Sequence, residues 1–458
     1  MTVGEIARAA GGAVIGAQRD AMVSGFSIDT RTLQPGDLFL AIRGERFDGH
    51  VFVAEAARKG AAAVMVIDAS VVPPGIPAVA VDDTVTGLQT LAREVRRSSG
   101  AKVVAVTGSA GKSTTKEVTA EFLAARYRVF RNKGNLNNHI GLPLSLLELR
   151  HKPDVGVVEL GMNHYGEISA LVKIAEPDVR VWTNVGPAHL EFFGTEDAVA
   201  EAKAEIMEGA RPQDLLVANA DDDRVMRHAA RFSGRVTTFG LDRPADIRAT
   251  QIHSLGVEGM RAQVQTPAGS AALITPLPGM ANLSNVLAGT AVALAFDVPL
   301  SSVVERAAGL RPVARRGEVI RVGGLTIVDD SYNSNPKALQ RALEVVAKES
   351  RFTRRLAVIG EMLELGEASG ALHRASGRLA AASGLAALVA VGSEPARQFR
   401  DGAIEGGMSP QNAHYVPTSQ EAADLVATLV QPGDLVLVKG SRGIRTDLVV
   451  DRLRAEIG

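Results

Sequence analysis

The stretch AVTGSAGKST, residues 105 to 114, places Lys112, Ser113 and Thr114 directly after a glycine loop. This order can hold phosphate. Backbone N–H groups of Thr107, Gly108, Ser109, Ala110 and Gly111 can surround phosphate oxygens at the positive end of a helix. Lys112 adds a point charge, and the hydroxyl of Ser113 can ligate Mg²⁺. The glycine spacing is one residue shorter than the usual G-x-x-x-x-G-K-[ST] unless the loop is counted from Thr107. The alternative is a glycine-rich turn with a solvated lysine.

Three further positions have the chemistry to assist. Glu159 closes the apolar run VGVVEL, where a carboxylate could share Mg²⁺ with Ser113 or simply face water. Asn184 and His189 follow VRVWT, and a loop histidine by itself is usually only a surface residue. Lys203, in EDAVAEAKAEIMEGA, has Val199, Ala200, Ile206 and Met207 as helical neighbours, so it shares an apolar face. A buried amine with lowered pKa can take up CO₂ to form an anionic carbamate. On spacing alone, a lysine whose head escapes to solvent is the simpler reading.

Strand and helix patterns place these residues. Val103 to Val106 is a β-branched run suited to a buried parallel strand, and helical spacing begins at Thr115 with Val118, Phe122 and Leu123. The runs DVGVVELG, VRVWTNVG and DLLVANAD suit a parallel sheet with covering helices. Strand-like pieces follow between about 235 and 278, and NLSNVLAGTAVALAF reads as one helix. The expected fold is α/β in three domains. Residues 1–99 form a small N-terminal α/β unit, 100–312 a central P-loop parallel-sheet ATP-binding domain, and 313–458 a Rossmann-like unit.

Composition narrows the function classes. With 50 Lys and Arg against 51 Asp and Glu, the net charge of −1 gives no electrostatic reason to expect nucleic acid or an anionic membrane. The absence of cysteine excludes disulfides, thiolate nucleophiles and zinc-thiolate sites. Glu5 and Arg8 interrupt what a leader peptide would need as an apolar core, and no run reaches membrane-spanning length. A cytoplasmic protein, monomeric, is the expectation.

Taken together, these segments resemble the ATP-dependent Mur ligases of bacterial peptidoglycan synthesis over nearly the whole chain. The resemblance rests on SIDTRTLQPGDLFLAIRGERFDGH, TGSAGKST, GNLNNHIGLP, ELGMNHYGEI, NVGPAHLEFFG, EAKAEI, DDSYNSNP, GEMLELGE with His373, and VKGSRG. It implies that the short loop is the family's normal form. It also implies two Mg²⁺ sites, one on Ser113 and Glu159, the other on His189 and a carbamylated Lys203, with Lys112 acting on the phosphates. Asn282 and Asn285 match a pair at the adenine, and Arg316 and Asp330 fall where the family sets an arginine and an aspartate against the nucleotide.

The substrates implied are UDP-N-acetylmuramoyl-tripeptide and D-alanyl-D-alanine. Asp29, Thr30, Arg31, Asp48, His50, Asn135 and Asn138 would meet the UDP-sugar, and Tyr332, Asn333 and Asn335 the incoming dipeptide. A ligase adding a diamino acid to the UDP-dipeptide precursor is the alternative, but its Asp-Asn-Pro-Arg motif is missing here. A folate-type ligase and a nucleotide switch without second substrate are the other readings. A dehydrogenase lacks G-x-G-x-x-G after a strand.

Overall fold

The computed structural model describes residues 1–44 and 47–457; Glu45 and Arg46, inside SIDTRTLQPGDLFLAIRGERFDGH, and Gly458 lie outside the described residues. The chain forms two compact units. The first is Met1–Ala105 with Tyr127–Asp178 and Glu208–Ala210; the second is Val106–Arg126 with Val179–Met207 and the remainder from Arg211.

In the first unit, a five-stranded sheet runs in the order Ala13–Ile15, Ala78–Ala80, Ala63–Val66, Asp37–Leu40, Gly25–Ser27. Only the first pair is antiparallel. The inner strands Asp37–Leu40 and Ala63–Val66 are buried at every residue, and apolar at all but Asp37, because both faces are covered. The helix Thr84–Ser99 buries Leu88, Leu91, Ala92 and Val95, one stripe at helical spacing, and is capped by Asp83 at its start. It ends at Gly100, whose φ of 71° a side chain would strain. Strands Val129–Arg131 and Val155–Glu159 pair in parallel in the same unit.

The second unit contains two sheets. Val179–Trp182, Leu215–Asn219, Arg235–Gly240 and Ile247–Ser254 are parallel neighbours in that order. Met260–Thr266 and Gly269–Thr275 extend them antiparallel, so the expected parallel sheet carries an antiparallel edge. The alternating burial of Met260–Thr266 fits such an edge, with one face packed and one wet. The other sheet runs Glu318–Val322, Leu325–Asp330, Leu435–Lys439, Arg355–Gly360, Ala387–Val391, Ala413–Val416, and is parallel after its first pair.

The last strand in sequence thus lies between two earlier ones. Three loops, 331–335, 361–366 and 440–443, therefore leave the carboxyl ends of three adjacent strands, the place where open α/β sheets gather ligands.

Candidate functional site

The phosphate loop is held from one side. Thr183 N donates to Thr107 O at 3.0 Å, and Ser109 N donates to Asn184 O at 3.0 Å. The Asn184 amide grips one residue with both arms: its Oδ1 accepts from Ala110 N and its Nδ2 donates to Ala110 O, each at 3.0 Å. Thr183 Oγ1 donates to the same carbonyl at 2.7 Å, and Ser109 Oγ accepts from Gly186 N at 3.0 Å. Two glycines are compulsory here. A Cβ at Gly108 would lie 1.9 Å from Thr183 Oγ1, and one at Gly111 2.4 Å from Asn285 Oδ1, and both have positive φ.

The helix that follows is Lys112–Leu123, one turn longer at its start than the apolar spacing indicates. That first turn buries Ser113 and contributes no apolar stripe, so periodicity misses it. Lys112 Nζ donates to Gly108 O at 2.8 Å. Asn282 and Asn285 occupy one face of the helix Met280–Ala295 beside the loop. Asn285 Oδ1 accepts from Thr115 Oγ1 at 3.2 Å, and Asn282 Nδ2 donates to Pro278 O at 2.8 Å.

Lys203 lies in the last turn of Glu196–Ala204 and is 1% exposed, so the reading in which its head reaches solvent is overturned. Val199, Ala200 and Ile206 are buried around it. Burial, with the charge of Lys112 as the lesser cause, holds its amine well below the ordinary lysine range. His189 sits at φ 59° ahead of Leu190–Phe193, with Nδ1 2.6 Å from Glu364 Oε2. That contact is close in distance, but Nδ1 is not aligned for a hydrogen bond. Burial lowers the imidazole pKa; Glu364 opposes this, and the charges of Lys203 and Lys112 add to it.

Lys112 thus lies within electrostatic reach of both His189 and Lys203, and Glu364 stands beside His189.

Among the described residues no group of three His, Cys, Asp or Glu side chains forms a metal cage. The hydroxyl of Ser113 and the imidazole of His189 instead fit a cation held jointly by one or two protein donors and phosphate oxygens, the usual manner of Mg²⁺. Glu159, in the first unit, is 2% exposed and accepts from Asn137 Nδ2 at 2.6 Å. Asn137, between the expected sugar-binding residues Asn135 and Asn138 but not itself among them, thus orients that carboxylate. Asn135 is exposed, and Asn138 Oδ1 accepts from Gly141 N at 2.8 Å to start the helix Gly141–Leu146.

The residues expected at the UDP end divide by role. Asp29 holds exposed Arg31 through both carboxylate oxygens, and Arg31 lowers its pKa to about 2. Lys59 Nζ donates to Thr30 O at 2.9 Å. His50 uses both ring nitrogens internally: Nδ1 meets Asp48 Oδ1 at 2.6 Å and Nε2 accepts from Ile67 N at 2.9 Å. It holds the turn, leaving Arg43 and Asp48, paired at 2.9 Å, nearer the surface.

In the second unit, Asp330 Oδ2 accepts from Lys439 Nζ at 2.6 Å, and Asn333 O accepts from the same amine at 2.9 Å. Arg316 stacks 4.0 Å from the Tyr332 ring, with Arg442 at 5.8 Å. Asn335 caps the helix Pro336–Ala347 by accepting from Ala338 N, with proline in the first turn, so its side chain serves the fold first. Glu364 and Lys439 do not stand out in the sequence as individual residues, although they lie in GEMLELGE and VKGSRG.

Known proteins match this arrangement. Residues 22–117 match the catalytic domain of the Mur ligase family, 106–293 the Mur ligase middle domain, and 315–442 the Mur ligase glutamate ligase domain. The UDP-N-acetylmuramoyl-tripeptide–D-alanyl-D-alanine ligase of Bacillus subtilis is 32% identical, covering 94% of this chain and 93% of its own. The crystal structure of MurF from Acinetobacter baumannii superposes with a TM-score of 0.89 at 32% identity, over 99% of both chains. MurF ligase from Thermotoga maritima in complex with ADP gives 0.83 at 31%, over 96% of this chain and 99% of that one. With its three-domain α/β fold of mixed sheets, the chain belongs to the Mur ligase family.

Proposed function

We propose that this chain is an ATP-dependent ligase that joins D-alanyl-D-alanine to UDP-N-acetylmuramoyl-tripeptide in peptidoglycan precursor synthesis. The observation that carries the chemistry is the group Lys112, His189 and Lys203 gathered beyond the strapped phosphate loop. The full-length likeness to ligases of that name supports the substrate pair.

The γ-phosphoryl group passes from ATP to the terminal carboxylate of the peptide, and ADP leaves. The dipeptide amine attacks the acyl phosphate, loses a proton, and expels phosphate as the amide forms. Both first reactants are anions, so their approach needs positive charge at fixed positions. Lys112 supplies one such charge; the N–H groups of Ser109 and Ala110 are engaged by Asn184, which with Thr183 holds the loop in shape, so Gly111 N–H and the positive end of the helix Lys112–Leu123 would meet the phosphates. Two Mg²⁺, when bound, would neutralise charge on the transferring group. Ser113 and Glu159 would hold one, and His189 and Lys203, as carbamate, the other. A neutral amine is no ligand for Mg²⁺, whereas the carbamate supplies anionic oxygens.

Asn282 and Asn285 fit the adenine side, and Arg316 and Asp330 the nucleotide from the C-terminal part. Asp29, Thr30, Arg31, Asp48, Asn135 and Asn138 fit the UDP-sugar, and Tyr332 the dipeptide. The domain limits read from sequence, at 99 and 312, belong to the same proposal, as do a cytoplasmic location and a monomeric state. Among the described residues no helix is long and apolar enough to cross a membrane.

The test is an acceptor-dependent ATPase assay with purified UDP-tripeptide and Mg²⁺. D-alanyl-D-alanine is expected to release ADP and phosphate in step with one UDP-pentapeptide. Release of AMP and pyrophosphate, equal turnover with L-lysine, or sustained ATP hydrolysis without any UDP-peptide would overturn it.

A further inference from the structure

The loop 361–366 is fixed at several points before it reaches His189. Met362 N donates to His373 Nε2 at 2.9 Å, and the other ring nitrogen of His373 lies 2.7 Å from Ser369 O. Leu363 N donates to Ser441 Oγ at 2.9 Å, and the Glu361 carboxylate accepts from Ser393 N and Oγ at 2.7 Å each. From this base Glu364, at φ 63°, meets the 189–191 turn twice. Its carboxylate lies 2.6 Å from His189 Nδ1, and its carbonyl accepts from Glu191 N at 3.2 Å.

Gly366, at φ 58°, makes the approach possible, because a Cβ there would lie 3.1 Å from Glu191 Cα. Both residues of the charged contact have left-handed backbone, a conformation that residues with side chains rarely adopt unless their surroundings impose it. A chance surface ion pair would not need either the backbone bond or the glycine.

We propose that Glu364 is a positioning residue for His189. At 2.6 Å its carboxylate is close enough to accept from Nδ1–H once the ring turns into line, and that hydrogen bond would fix the tautomer and leave the Nε2 lone pair for the cation, as carboxylates behind metal-bound histidines commonly do. Glu364 comes from the C-terminal α/β part, whereas His189 follows the strand Val179–Trp182. Seating of the 361–366 loop on Glu191 and readiness of His189 are then one event, so the part of the chain that fits the dipeptide also completes the ATP site. This rests on the reading of His189 as a Mg²⁺ ligand.

Two measurements that do not involve turnover test it. One is the His189 tautomer, read by long-range ¹H–¹⁵N correlation on protein labelled with ¹⁵N-histidine. The other is Mn²⁺ affinity, read by electron paramagnetic resonance with a non-hydrolysable ATP analogue present. Wild type is expected to show a single Nδ1–H tautomer. Glu364→Ala is expected to give a tautomer mixture and Mn²⁺ binding weaker by about 10- to 100-fold.

Glu364→Gln keeps an acceptor oxygen, so it retains the Nδ1–H form with a smaller loss of affinity, and it stands in if the alanine variant does not fold. Unchanged tautomer and Mn²⁺ affinity within about twofold of wild type in both variants would overturn the proposal. His189→Ala separates the two readings. If it weakens Mn²⁺ binding and the Glu364 variants do not, only the positioning role falls; if it has no effect, the ligand role of His189 falls as well.

Discussion

Two lysines of the second unit are buried to nearly the same degree and meet opposite surroundings. Lys439, 2% exposed at the end of Leu435–Lys439, donates to Asp330 Oδ2 and to Asn333 O. Lys203, 1% exposed, makes no hydrogen bond or ion pair among the described residues, and the charge it feels is that of Lys112. Burial alone therefore does not define a lysine's chemistry. Where a carboxylate is present, the amine is paired with it and ties the segment 330–333 to the end of the strand Leu435–Lys439. Where none is present, desolvation favours the neutral amine, which is a nucleophile.

The largest effect should come from Lys112, the charge that the proposed mechanism sets on the phosphates. Lys112→Ala is expected to lower turnover about a thousandfold, roughly 4 kcal/mol of transition-state stabilisation, with its circular dichroism unchanged. A folded variant as active as wild type would remove the phosphate loop from the mechanism.

The contrast between the lysines is tested by replacing each with alanine. Lys203→Ala should lose about a hundredfold in rate, and formate or acetate should restore part of it by supplying the missing oxygens. Lys439→Ala leaves Asp330 without its counter-charge and should lose about 2–3 kcal/mol in urea unfolding, with no recovery by added carboxylates. Recovery of both variants, or of neither, would break the contrast. The sign of the pH effect follows from the lowered Lys203 pKa. The unfolded chain holds that proton up to about 10.5 and the folded chain releases it earlier, so this site's contribution to stability rises with pH across that window.

The smallest effect is expected far from the chemistry, at a carboxylate with full pairing. Glu349 accepts from Arg351 Nε at 2.9 Å and from Val257 N at 3.0 Å, and Arg351 first, then these N–H groups, lower its pKa to about 2. Its stabilisation is present above the ordinary glutamate range near 4.5 and is lost as pH falls toward about 2. Glu349→Gln should cost about 1–2 kcal/mol at neutral pH, the difference from wild type shrinking in acid. A difference independent of pH would assign the loss to packing.

Much of the site was legible because its residues are close in sequence or follow apolar runs. The loop 107–114, the helix carrying Asn282 and Asn285, and the strand ends at Glu159 and Asp330 are all local patterns. The antiparallel edge Met260–Thr266 with Gly269–Thr275 appears in the sequence only as strand-like pieces, since pairing direction leaves no mark on composition. Roles of single polar residues were less legible. Asn335 caps a helix, Asn138 Oδ1 accepts from Ile140 N and Gly141 N ahead of another, and His50 is engaged at both nitrogens. Their types suggested ligand contacts, and the sequence does not show that each also has a partner within the protein.

By itself the sequence determined the phosphate loop, the alternation of strands and helices, the absence of thiol chemistry and the apolar face around Lys203. All of these depend on neighbours within a few residues or on composition. Only the tertiary structure decided that, among the described residues, Lys203 has no counter-charge while Lys439 has one, that both arms of the Asn184 amide grip the phosphate loop, and that Glu364 stands behind His189. Each joins residues far apart in the chain, and desolvation and Coulomb energy depend on distance in space, which the order of residues along the chain does not state.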